Sequence, residues 1–454
     1  MGIRAITPLD GRYASQIGSL SDYFSEWALI KHRVKIEIEW LIEMSESAEI
    51  RDLRILSTSE KAMLAKLIDE FDDDDASRVK DIEETTRHDV KAVEYFIREK
   101  LNETSLSDVK EWVHFCCTSE DINNLAYALM LKGSIEHEWI PSALGLVEEI
   151  DQLAEQTRNM PLLARTHGQA ASPTTLGKEL SVFEYRFRRQ LEQLKTLEYL
   201  GKFNGAVGSY NAHMMAYPEA NWDKMSRLFV ERLGLTHNPL TTQIEPHDYL
   251  AELFHVLMRF NTIELDFDRD MWAYISAGVF KHTTLKGQVG SSTMPHKVNP
   301  INFENSEANV GISNALLEHL SSKLQVSRLQ RDLTDSSALR NIGAAIGHSI
   351  VALKASCRGL SSIQADEEVM LEELDSAWEV LGEAVQTVLR KNGETDAYEK
   401  LKDFTQGRII DRTSIRQFIS SLVIPSEDKA RLLALTPSTY TGISAKLVDW
   451  GKPV

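Results

Sequence analysis

Only three cysteines stand in this 454-residue chain, two of them adjacent at Cys116 and Cys117 and the third at Cys357. Sequence neighbours rarely bridge, so no disulfide framework is implied and a reducing compartment suits the composition. Long apolar runs are missing as well: nothing approaches the roughly 18 apolar residues of a membrane span. The opening, Met1 to Ile6, lacks both the apolar core of a secretory signal and the hydroxyl residue that a myristoylation site needs at position 6. A soluble, cytoplasmic protein with no membrane partner is expected. Basic residues are in deficit, 50 Lys and Arg against 68 Asp and Glu, for a net charge of −18. That balance repels nucleic acid, yet it admits a small anionic substrate, because a pocket's field is set by its own neighbours. No phosphate-binding Gly-rich loop ending in Lys-Ser or Lys-Thr is present, and Gly201, Gly205 and Gly208 have the wrong spacing for a dinucleotide fingerprint. No His-Glu-x-x-His or paired-Cys motif offers a metal site. The acids Asp72 to Asp75 lack the glycine of a calcium loop and read as a solvated loop. No cofactor and no metal are expected.

What is present is helix. Leu29, Val34, Ile38 and Leu41 share a face early on, and Leu176, Leu180, Phe183, Phe187, Leu191 and Leu194 form a stripe over several turns. From Asp248 to about His282 there is one Gly and no Pro, which suits a long bundle helix. Thr118-Ser119-Glu120-Asp121 reads as a capping box before Ile122, Leu125, Ala126 and Leu129. Ser172-Pro173 reads as an N-cap and first-turn proline. β-branched alternation is scarce, so the class is all-α. The chain divides into an N-terminal helical segment (1–111), a central helical bundle (112–362) and a C-terminal segment of shorter helices (363–454).

Eleven residues interrupt the helical pattern: Gly290-Ser291-Ser292-Thr293-Met294-Pro295-His296-Lys297-Val298-Asn299-Pro300. Two prolines and a glycine stop a helix, so this is a loop, and it is dense in hydroxyl, imidazole, ammonium and carboxamide groups. The helix after it is unusual: Asn302, Glu304, Asn305, Ser306, Asn309, Ser313 and Asn314 dilute its apolar face. These must have partners if buried, and they are expected to face a wet cleft or a wet exterior. Arg165-Thr166-His167-Gly168-Gln169 precedes the helix expected to start at Pro173, where backbone donors favour anions. In a net acidic chain, Arg12, Lys91, Lys297, Arg331 and Arg340 lie inside polar motifs rather than on Glu/Lys-rich helix faces.

The loop resembles the signature Gly-Ser-Ser-x-Met-Pro-x-Lys-x-Asn-Pro of the aspartase/fumarase superfamily, and Thr166-His167-Gly168-Gln169 resembles its second motif. Gly11-Arg12-Tyr13, Thr86 to Lys91, Thr118 to Asn124, Asn204 to Gly208, Thr241 to Asp248 and Gln330 to Ser336 look like the bacterial adenylosuccinate lyase family, nearly end to end. Position 87 departs mildly, since Asn is expected there and the chain has Arg87.

The resemblance implies a three-domain fold whose central long helices assemble into a tetrameric multi-helix core, with active sites shared between subunits. It implies elimination of fumarate from adenylosuccinate and from the related succinyl-aminoimidazole-carboxamide ribotide (SAICAR). A weakly acidic carbon-bound proton leaves beside a carboxylate, so the doubly charged aci-carboxylate needs preorganised donors, implied here to be the loop N–H groups with Lys297, Val298 and Asn299. Spacing alone does not separate Ser291 from Ser292 as the base; the family gives that role to the first, Ser291. His167 is implied as the acid that protonates the leaving nitrogen, a role imidazole suits near neutral pH. Arg12, Tyr13, Arg331, Ser336 and Arg340 are implied to hold phosphate and ribose. Arg87, His88 and Asp89 line the site, Thr118 and Ser119 grip a carboxylate, and Gln243, Ser292 and Asn305 complete it. The structural alternatives are that Arg12 caps a helix, His88 packs in the core, and Arg331 and Arg340 pair with Asp332 and Asp335. The functional rivals are another superfamily lyase, such as argininosuccinate lyase or a fumarase, and a non-catalytic helical scaffold.

Overall fold

The computed structural model describes residues 3–282, 294, 298–407 and 410–451. Helices carry the fold, as the periodicity predicts. The strands among the described residues are two or three residues long and pair only in twos. The chain forms two compact units. The first comprises Met1–Ala143, Gln190–Thr262 and Ala308–Ala352; the second comprises Leu144–Arg189, Ile263–Glu307 and Leu353–Val454.

In the first unit the helix Glu26–Glu46 starts at Ser25, whose hydroxyl accepts the Ala28 N–H at 3.1 Å. Trp40 on this helix is fully buried, with ring centroids 4.3 Å from Phe203 and 5.1 Å from Phe229. Its indole N–H donates to the Phe115 carbonyl at 3.2 Å. Truncating such a residue to Ala typically costs about 3–5 kcal/mol. The acids Asp72 to Asp75 are not a loop. Asp72 caps the helix Asp73–Thr86, accepting the Asp75 N–H at 3.0 Å, and the next three acids fill its first turn, where the helix dipole favours negative charge.

The Asn- and Ser-rich helix Ile301–Lys323 faces neither a wet cleft nor a wet exterior with its smallest polar residues. Ser306, Asn309 and Ser313 are buried. In the first unit, the Ser313 hydroxyl donates to the Ala345 carbonyl at 2.8 Å and accepts from the Asn261 amide at 3.1 Å. The Asn261 oxygen takes the Ser349 hydroxyl at 2.8 Å, and Ser349 in turn accepts the Trp139 indole N–H at 2.8 Å. Each member of this layer has a partner, as a buried polar group requires.

In the second unit, Ser306 and Ser356 meet two buried acids of the helix Asp248–Ser276. The Ser306 hydroxyl donates to Glu264 at 3.1 Å and the Ser356 hydroxyl to Asp268 at 2.7 Å. One oxygen of each carboxyl has no partner among the described residues. The C-terminal helices pack Trp378, Leu381, Val385, Leu389, Ile415 and Ile419 into their own core. Ser172-Pro173 does not open a helix: Thr174-Thr175 pair antiparallel with Pro161-Leu162, and the helix runs Leu176–Leu194. A preceding short strand pair therefore displaces the helix start three residues downstream of the expected one.

Candidate active site

The helix Ser119–Ser134 organises the first unit's polar cluster. The Thr118 N–H donates to the Asp121 carboxylate at 2.9 Å, the return arm of the expected capping box. The same carboxylate accepts the Lys202 ammonium at 2.7 Å and the N–H groups of Asn204 and Gly205 at 3.0 and 3.1 Å. Both ionised side chains are fully buried, which is tolerable because each is paired and hydrogen-bonded. This pins the segment 204–208 to the helix start. Gly208 has φ of +75°, and a Cβ there would lie 2.2 Å from the Thr241 carbonyl oxygen. Only glycine lets this loop approach Thr241 to Gln243.

Gln243 is consequently held at both ends. Its amide N–H donates to the Ala206 carbonyl at 2.8 Å, and its oxygen accepts from Arg331 at 3.2 Å. Arg331 also lies 2.9 Å from the buried Glu120 carboxylate and 3.9 Å from Asp335. Burial raises the Glu120 pKa, and Arg331 opposes that shift. The Arg331 Nε–H is buried without an acceptor among the described residues, so one donor of this guanidinium is unspent. Arg331 and Gln243 line a cavity of about 410 Å³ with Ala206, Val207 and Asp332.

Arg340 is the second cation. It donates to Glu26 at 2.6 Å and lies 3.7 Å from Asp89, and it borders a cavity of about 200 Å³ that reaches Asp10, Ser21 and Ser25. The expected alternative pairings hold only weakly: Asp335 is the more distant partner of Arg331, and Asp332 pairs with Arg328 at 2.9 Å. Asp89 accepts Arg33 at 2.7 Å. Burial would raise its pKa, but Arg33 and the Val90 N–H outweigh burial and hold it below the usual carboxylate range. His88 is no core histidine. It is exposed and caps the helix Asp89–Leu101, its Nδ1 accepting the Lys91 N–H at 3.2 Å. Arg87 closes the preceding helix with φ of +54°, and its side chain is exposed. Asn adopts that left-handed conformation more readily than other non-glycine residues, which accounts for Asn being expected there. Lys91 is spent on Glu94 at 2.7 Å.

Other expected residues stand nearby in sequence but make fewer described contacts. Arg12 is exposed in the turn after Pro8, Tyr13 is half-buried there, and its N–H donates to the Pro8 carbonyl at 2.8 Å. Thr118 and Ser119 are half-buried at the helix start. Ser336, also half-buried, sits in the short helix Thr334–Leu339, where its N–H reaches Asp335 at 2.7 Å.

The second unit holds the remaining candidates. His167 is not at a helix start but at the tip of a two-residue hairpin, between the paired strands Arg165-Thr166 and Gln169-Ala170. His167 and Gly168 have φ of +54° and +74°, the signature of a tight hairpin turn that favours Asn-Gly or Asp-Gly. The imidazole is exposed and has no hydrogen-bond partner among the described residues. Arg165 pairs with Glu373 beneath it. Val298 and Asn299 are half-buried just ahead of the helix Ile301–Lys323, and Asn305 lies in its second turn. Ser291, Ser292 and Lys297 lie outside the described residues.

Three contributors escaped the sequence reading: Arg33, Asn123 in its connecting role, and Glu120. The signal for Arg33 was available. It falls with Glu37 on the i, i+4 series Leu29, Arg33, Glu37, Leu41, and a charge on a core stripe demands a buried partner.

Comparison with known proteins agrees with this architecture. Residues 11–313 match the family model described as Lyase, and residues 327–441 match Adenylosuccinate lyase C-terminal. Two solved structures share the fold over 96% of this chain. They are a fumarate lyase from Mesorhizobium sp. BNC1 (97% of that chain, TM-score 0.77, 17% identity) and the 3-carboxy-cis,cis-muconate lactonizing enzyme of Pseudomonas putida (96%, 0.74, 22%). Fold and matched models together define an enzyme of the lyase class. The chain is 51% identical to adenylosuccinate lyase of Escherichia coli K12 and 50% identical to that of Haemophilus influenzae, in each case over 98% of both chains. It belongs to the adenylosuccinate lyase family.

Proposed function

We propose that this lyase splits adenylosuccinate into AMP and fumarate, and SAICAR into fumarate and the corresponding carboxamide ribotide, in purine nucleotide synthesis. The full-length identity to relatives named for the first reaction carries the reading. The clustered guanidinium groups of a net acidic chain support it, because a phosphate and two carboxylates need several cations.

In this reading Ser291 takes the proton from the carbon beside a carboxylate. The C–H electron pair moves into that carboxylate, giving the aci form, and returns as the double bond of fumarate as the C–N bond breaks, while His167 delivers a proton to the departing nitrogen. Lys297, Val298, Asn299 and the loop N–H groups stabilise the aci-carboxylate. Arg12, Tyr13, Arg331, Ser336 and Arg340 receive phosphate and ribose; Arg87, His88, Asp89, Thr118, Ser119, Gln243, Ser292 and Asn305 line the substrate. No cofactor or metal takes part. The three-segment division at residues 111 and 362, a homotetramer with shared sites and a cytoplasmic location belong to the same proposal. An exposed hairpin whose histidine lacks a described partner suits a group delivered to another subunit's site.

The test is the ultraviolet change when purified protein meets adenylosuccinate, with Ser291→Ala as control. Conversion by wild type alone supports both reaction and base. Fumarate released from argininosuccinate instead would keep the chemistry and overturn the substrate, and turnover retained by Ser291→Ala would move the base elsewhere.

A further inference from the structure

The two arginines of the first unit border separate cavities, yet a continuous run of side chains joins them. Arg340 lies 3.7 Å from Asp89, and Asp89 accepts the Arg33 Nη2 at 2.7 Å. The Arg33 Nε donates to the Asn123 oxygen at 2.9 Å, and the Asn123 amide N–H donates to Glu120 at 2.8 Å. The same Glu120 oxygen meets Arg331 at 2.9 Å, and Arg331 meets Gln243 at 3.2 Å. Arg33 and Glu120 are 2% and 3% exposed.

We infer that Arg33, Asn123 and Glu120 are positioning residues: a relay of two buried charges joined by a half-buried carboxamide that fixes the orientation of Arg331 relative to Arg340, and so shapes the recognition of the substrate's nucleotide monophosphate part. The inference rests on the proposed reading of this cluster as the nucleotide site. Asn123 is the critical link, because its two neighbours have opposite needs. Arg33 only donates and the Glu120 carboxylate only accepts, so the connector must accept at one end and donate at the other. A carboxamide does this; a carboxylate would face Glu120 with like charge, and an aliphatic side chain would serve neither. Without the Asn123 donor, Glu120 keeps Arg331 as its main partner and is free to turn toward it, which re-aims the guanidinium and the Gln243 bonded to it. The unspent Nε–H of Arg331 is the donor whose direction this relay sets.

The experiment is steady-state turnover of adenylosuccinate by wild type and Asn123→Leu, with AMP and fumarate as product inhibitors. The expected result is a rise of about tenfold in KM and in the AMP inhibition constant together, the size of one lost charge-assisted bond. kcat should change less than about threefold, and the fumarate inhibition constant should not move. If Asn123→Leu does not fold, Arg33→Lys removes the Nε donor while keeping the charge beside Asp89, and should move AMP in the same direction by about threefold. Unchanged AMP inhibition, or AMP and fumarate constants rising in step, overturns the relay. A wild type that neither turns over adenylosuccinate nor binds AMP overturns the functional reading itself, and the relay with it.

Discussion

Arg331 in the first unit reaches Glu120 at 2.9 Å and Gln243 at 3.2 Å with little of its side chain exposed, whereas His167 in the second projects from a two-residue turn into solvent. The difference follows from what each group needs. A guanidinium taken out of water must bring counter-charges with it, so an anion site built on arginine is assembled within one folded unit. An exposed imidazole is satisfied by water and requires no partner from its own unit. What it carries instead is backbone strain, since a non-glycine residue in the left-handed region costs roughly 1–2 kcal/mol. One region is held by its contacts; the other holds a residue in place through its backbone.

The sharpest way to break this comparison is His167→Ala. Loss of the acid should lower kcat by about 10²–10⁴-fold while KM changes little, measured by steady-state kinetics. Mixing that variant with Ser291→Ala under conditions of subunit exchange should restore part of the activity; no recovery would count against shared sites. Arg331→Ala attacks the confined region. Removing the cation leaves the buried Glu120 without a counter-charge, held only by the Asn123 amide, so KM should rise by about 10–100-fold and the midpoint of denaturant unfolding should fall.

The buried acids Glu264 and Asp268 extend the contrast to charge without cations. Burial raises the pKa of both, and the charge of Asp268 raises Glu264 further. The folded state therefore holds protons that the unfolded chain releases. Stability should fall as pH rises from about 5 to about 8, by at most about 1.4 kcal/mol per pH unit for each proton. Asp268→Asn should flatten that slope, read by thermal unfolding across the range; an unchanged slope would remove this pair as its source. The smallest effect is expected at the left-handed helix end. Arg87→Asn should stabilise by about 0.5–1 kcal/mol in chemical denaturation, and no gain would mean that the Arg side chain offsets its backbone strain.

Much of the fold was legible in the residues because helical periodicity is a local property. The stripe Leu176 to Leu194 became a helix with that face buried, and the Asp248 run became one as far as Ser276, beyond which Phe280–His282 pair with Ile363–Ala365 instead of continuing the helix to His282. The capping arm at Thr118 and Asp121 needs only a three-residue spacing. One miss was local: Asp72 became a helix cap through the Asp75 N–H instead of a solvated loop. In the others a non-local partner decided, as when Thr174-Thr175 found Pro161-Leu162 and postponed a helix. The Asn- and Ser-rich helix turned its small polar groups inward, onto Asn261 and Ala345 in one unit and Glu264 in the other.

By itself the amino-acid order determined the all-α class, the motifs and the family, because these reside in composition, spacing and string identity. Tertiary structure alone decided which charges meet. Arg33, Asn123 and Glu120 are separated by up to 90 positions in sequence yet are joined by two successive hydrogen bonds. Burial of Arg33 and Glu120 makes their pairing obligatory, and no spacing rule along the chain encodes it.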